Sequence, residues 1–95
     1  MLVLLALLGE SYPTELARLL DAPLFSVQTI VAALDREGVL ATRPLGAVRR
    51  VSLDPRYFAY RDLRALLLRL AEAEPELQSA AASRRSRPRR PGKPI

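Results

Sequence analysis

The chain has no cysteine and no histidine. The first absence excludes a disulfide framework and any thiolate metal site. The second removes the commonest general base and the commonest metal ligand. Its four glycines form no Gly-rich phosphate loop, and its closely spaced acids, such as Glu72 and Glu74, fall on a helix surface where no pocket is implied. These gaps leave catalysis little to work with. The expectation is a protein that is not an enzyme and holds no cofactor and no metal. The one long apolar run, Met1 to Leu8, lacks a basic lead-in and is far too short to span a bilayer. No membrane role is expected, and the chain reads as soluble and cytoplasmic. Only one Lys stands against fourteen Arg, a bias that points toward a GC-rich prokaryotic genome.

Ninety-five residues allow one small domain. The net charge of +5 is unevenly placed. Residues 1–78 carry nine Arg against all ten acids, a net −1, whereas residues 79–95 carry five Arg and Lys93, a net +6. From Ser79 onward the composition is Ser, Arg, Pro, Gly and Ala, which predicts a disordered basic tail over 79–95. Such a tail either holds phosphates nonspecifically or merely solubilises the chain. A basic surface on the folded part has to come from clustering rather than excess.

The stretch Pro13 to Leu40 organises the rest. Leu16, Leu19 and Leu20 repeat at helical spacing, and so do Leu24, Val27, Ile30, Val31 and Leu34. Only Asp21-Ala22-Pro23 separates the two, so the helices must cross at a large angle. Asp21 is read as a cap for the second of them, with Gly38 as its left-handed stop. Met1 to Leu8, closed by Gly9, is a first helix packed beneath them, with one side left for other residues to cover. Residues 39–43 and 47–53 predict a two-stranded hairpin around Pro44-Leu45-Gly46, with Val51 and Leu53 on one face and Arg50 and Ser52 on the other. Asp54-Pro55 is expected to open a long helix running to about residue 74, where Pro75 argues for a stop.

The segments T-E-L-A-R-L-L-D-A (14–22) and S-V-Q-T-I-V-A-A-L-D-R-E-G-V-L (26–40), followed by R-R-V-S-L-D-P (49–55), resemble the ArsR/MarR-like superfamily of prokaryotic regulators. The resemblance covers about residues 3–70. It implies a mainly α (α+β) winged helix-turn-helix: a three-helix core, a two-stranded wing and a long C-terminal dimerisation helix, within residues 1–78. Asp21 stands where the group's turn often has Gly, and Asp tolerates the left-handed conformation. The metal-sensing branch of the group uses Cys or His ligands, which this chain lacks.

The function implied is a homodimeric, sequence-specific DNA-binding transcriptional regulator. The expected contacts to double-stranded DNA are Phe25, Ser26, Gln28 and Thr29 from the recognition helix and Arg43, Arg49 and Arg50 from the wing. Gln28 can pair in bidentate fashion with adenine, and Arg suits phosphates and narrow minor grooves. The plainer readings are a solvated helix face and a charged strand edge. Tyr60, Leu63, Leu67 and Leu70 form the expected dimer seam. The alternative is a winged-helix protein–protein adaptor, which the Arg-poor recognition helix and near-neutral body favour.

Overall fold

The leucines of the first eight residues fix the centre of the molecule. The computed structural model describes residues 1–86, and within them α1 (Leu2–Leu8) buries Leu4 and Leu5 completely. Gly9 ends α1 at φ 83, where glycine alone escapes a steric penalty. A short strand, β1 (Glu10–Ser11), follows, too short to leave an alternating pattern. Then come α2 (Pro13–Leu20) and α3 (Leu24–Arg36). Pro13 opens α2, as a residue with no N–H to satisfy should. Asp21 sits at φ 54, ψ 48 and closes α2. It therefore caps the end of α2 rather than the start of α3, whose cap is Pro23. Gly38, at φ 81, turns the chain out of α3, and the N–H of Val39 bonds back to the carbonyl of Leu34.

The hairpin is β2 (Leu40–Leu45) and β3 (Val48–Leu53), joined by Gly46 and Ala47. Gly46 takes φ 65, the positive φ a two-residue hairpin turn needs. Both β1 and β2 pair antiparallel to β3, so the sheet order is β1-β3-β2. Pro44 is tolerated because β2 is an edge strand. Val51 and Leu53 are buried against the helices, as their alternation predicts. Together the elements make an α+β fold of five helices and one three-stranded antiparallel sheet among the described residues.

The last third departs from expectation. No helix begins at Asp54. Its carboxylate accepts the N–H of Arg56 at 2.8 Å and organises a run of turns through Ala59. The helix α4 (Tyr60–Ala71) starts only after them. It ends in tight bonds reaching three residues back, Ala73 to Leu70 and Glu74 to Ala71. Pro75 then opens a new helix, α5 (Pro75–Ser86), where a stop was expected. The disorder expected from Ser79 is thus corrected for 79–86, and the part of the tail beyond Ser86 lies outside the described residues.

The reason is a run of strong helix formers, Ala80 to Ala82, with an apolar side to bury. Leu77 and Ala80 pack on the core, and Ala81 is buried within it. Both α4 and α5 lie against α1, covering the side that the sequence had left open. Gln78 donates its side-chain N–H to the carbonyl of Ala71, satisfying an end of α4.

An ion pair fixes the far end of α5. Glu15 is 4% exposed and accepts the Ser11 hydroxyl, and Arg84 Nε lies 3.2 Å from its other oxygen. Arg84 also donates to the Glu10 carbonyl at 2.9 Å. Removing Arg84 would strand a buried carboxylate. Arg84→Ala should therefore lower unfolding stability by up to about 3 kcal/mol, read by chemical denaturation. Loss of a freely moving tail arginine would cost nothing measurable.

Asp54 yields a pH prediction. The N–H of Arg56, then its side chain, hold the Asp54 carboxyl below the ordinary carboxylate value of 3.8. A depressed folded-state pKa stabilises above the unfolded value, and that gain is lost as pH falls through the folded one. Asp54→Asn should therefore be less stable than the parent chain at neutral pH. The gap should close below about pH 4 in acid-denaturation curves.

Candidate nucleic-acid interface

An open cleft runs between the start of α2, the exposed flank of α3 and the hairpin. Pro13 and Thr14 line one end, Gln28, Ala32 and Asp35 one wall, and Thr42, Val48 and Arg49 the other. The floor is Val31, which belongs to the core. The helical repeat places Gln28 and Asp35 seven residues apart on one flank of α3, facing the hairpin.

The polar contacts across the cleft form a chain. The Thr42 hydroxyl donates to Asp35 Oδ2 at 3.2 Å and accepts from Arg49 Nη1 at 3.1 Å. Thr42 thereby holds the Arg49 guanidinium at the cleft edge, with further N–H groups to offer. All of these side chains lie at the surface, so each bond is weak and exchangeable with an incoming acceptor. The Gln28 side chain is exposed and has no hydrogen-bond partner among the described residues. It keeps two donors and an acceptor for a ligand.

The other expected contacts on α3 fall around its outer face. Phe25 is 78% exposed, and Ser26 and Thr29 are exposed beside it. The Thr29 hydroxyl donates to the Phe25 carbonyl at 2.9 Å, one helical turn back. Its methyl group and a free lone pair are what remain for a partner. Ile30, 44% exposed, borders the same region.

The three arginines of the hairpin do not act together. Residues alternate across a strand, and paired residues share a face. Arg50 stands opposite Arg43, so those two occupy one face and Arg49 the other. Glu10, paired with Ser52, belongs to the face of Arg43 and Arg50. One Glu10 oxygen binds each: Oε2 lies 3.1 Å from Arg43 Nη2, and Oε1 lies 3.1 Å from Arg50 Nη2. The Arg50 guanidinium also rests 6.0 Å from the centre of the Tyr12 ring. Its Nε is buried and has no acceptor. Arg50 is thus a half-buried structural group, and only Arg49 faces the cleft on the side of α3.

Sequence reasoning named Gln28 and Arg49 but missed Thr14, Asp35 and Thr42, which complete the cleft. The strand alternation that separates Arg50 from Val51 was legible and separates Arg49 from Arg50 as well. Glu10 could not be found that way, because its partners lie 33 and 40 residues along the chain.

The expected dimer seam is split by the fold. Leu67 is 5% exposed and faces the body of its own protomer, and Tyr60 and Leu63 pack partly against the same core. Of the four only Leu70, 46% exposed, lies at the surface, joined there by Leu66 at 54%. Among the described residues no group of three His, Cys, Asp or Glu could hold a metal ion, and no helix is long and apolar enough to cross a membrane. No protein-family model, curated protein or solved structure matches the chain.

Proposed function

We propose that the chain is a winged helix-turn-helix protein that binds double-stranded DNA sequence-specifically, as a homodimeric cytoplasmic transcriptional regulator. The observation that carries the reading is the cleft itself. An unpartnered Gln28 on α3 and a loosely held Arg49 on the hairpin flank one open groove, with Thr14 at its end. The element order and the sheet order β1-β3-β2 support it, because they set a hairpin beside the second helix of a tight helix pair. On this reading α3 enters the major groove. Gln28 pairs with an adenine edge, and the methyl of Thr29 or the ring of Phe25 meets a thymine methyl. Arg49 reaches the phosphates at the groove wall.

A second reading, a protein–protein adaptor, is favoured by one observation. The outer face of α3 presents Phe25 and Ile30 with no arginine until Arg36, and Glu10 neutralises two of the three hairpin arginines. Apolar surface of this kind suits a protein partner.

A binding titration decides between them. With a site selected from random duplexes, Gln28→Ala should relax preference at one or two base positions, costing about 1–3 kcal/mol. Arg49→Ala should weaken good and poor sites alike and lower the salt slope by about 1. Arg50→Ala should leave the slope unchanged and act on stability instead. A parent chain that selects no duplex sequence, or an Arg49→Ala slope equal to the parent's, would hand the site to the adaptor reading.

A further inference from the structure

The arc of α4 beside the one buried in the protomer carries a repeat of its own. The half-buried Leu63 is followed by the exposed Leu66 and Leu70 at spacings of three and four, and Ala59 and Ala73, just outside the two ends of the helix, extend the series, which is the seam of a helix pair. Leu66 and Leu70 are the exposed centre of this stripe, and Phe58, 93% exposed, stands just before it. The stripe lies one residue away from the expected one, because Tyr60 and Leu67 are turned into the body of the protomer.

Two charges border the stripe on its free flank. Asp62 and Arg69 are seven residues apart, so they project from the same side of the helix two turns from one another. Both are exposed. Asp62 has no ion-pair partner among the described residues, and Arg69 reaches only the equally exposed Glu72, at 4.0 Å. The opposite flank holds Tyr60 and Leu67 and is occupied by the protomer's own core.

We infer that two copies of this chain pair through α4 in antiparallel fashion about a twofold axis close to Leu66. The inference rests on the homodimer named above and specifies its contact. In a twofold interface each residue pair occurs twice, i with j and j with i. Antiparallel helices bring like flank to like flank. Asp62 then meets the partner's Arg69, and Arg69 meets the partner's Asp62, on either side of the leucines. A parallel pair would need the flank of Tyr60 and Leu67, which is already buried. The antiparallel register also lays Phe58 beside the partner's Ala73, covering an aromatic ring otherwise left in water. The nine residues after Ser86 do not suit the stripe, since they carry four basic residues, three prolines and Ile95 as the one bulky apolar side chain.

Charge reversal tests the register on the full chain. The parent should sediment as a dimer at tens of micromolar. Asp62→Arg and Arg69→Asp each convert two attractive contacts into two repulsive ones, and each should weaken the dimer about tenfold or more. The double variant Asp62→Arg with Arg69→Asp should recover most of the loss. Both side chains are exposed, so circular dichroism of each variant should match the parent. Leu66→Ala, which leaves the charges alone, should also favour the monomer. A monomeric parent, single reversals that leave the dimer intact, or a double variant no better than either single would overturn the proposal. A duplex titration on the double variant separates the two readings: a dimer that rescues but binds no DNA keeps the pairing and removes the DNA function.

Discussion

A short helix that is apolar nearly all round cannot stand at a surface, and α1 is such a helix. Its seven residues are six Leu or Val and one Ala. Leu4 and Leu5 are fully buried and Ala6 nearly so, while Leu2, Val3, Leu7 and Leu8 pack against the cluster from partly covered positions. Burying a leucine side chain is worth about 1.5–3 kcal/mol, so enclosing α1 is among the largest favourable terms open to so small a chain. Most other elements take their place from that demand. The sheet closes one side, and α4 and α5 close the other. The fold of α5 follows from the same demand, because without it one flank of α1 would face water.

The charges follow a similar division between structure and surface. Arg84 is spent on the buried Glu15, and Arg43 and Arg50 are spent on Glu10. Glu10 and Glu15 thus anchor three arginines that the composition alone would have counted toward a basic surface. The Arg43 pair on Glu10 is exposed enough to contribute little to stability, whereas Arg50 is more covered and the pair on Glu15 is nearly buried. What remains near the α3 cleft is Arg49, set against Asp35 through the hydroxyl of Thr42. A nearly neutral cleft of this kind favours discrimination by hydrogen-bond geometry over affinity from charge.

Local signals were legible in the sequence and long-range ones were not. The helix pair, its left-handed turn at Asp21, the stop at Gly38 and the hairpin all follow from spacing and turn chemistry within a few residues. Gln28 and Arg49 could be named for the same reason. The misreadings share a cause. Asp54 has the side chain of a helix cap, but it bonds the N–H of Arg56 within a turn that delays the helix to Tyr60. Pro75 can end one helix or begin another, and the apolar side of Leu77, Ala80 and Ala81 decides in favour of beginning one. A composition rich in Ser, Arg and Ala reads as disorder only until its alanines find a surface to cover. That surface, α1, lies more than seventy residues away along the chain.

The placement of α4 carries this argument to the proposed assembly. A helix of twelve residues with Leu63, Leu66, Leu67, Leu68 and Leu70 has apolar groups around most of its circumference. The protomer uses one arc of it, centred on Leu67 and Ala71. The rest lies outside the protomer's own core. It is an arc with a repeat, a free charged flank and a blocked one, and those three properties select one orientation for a second helix. On the proposed reading, the turns from Asp54 to Ala59 then matter beyond their own stability. They join β3 to α4 directly, so the angle they set between hairpin and helix also sets the angle between the two clefts of a dimer. Half-site spacing on DNA would be written in that short segment rather than in α3.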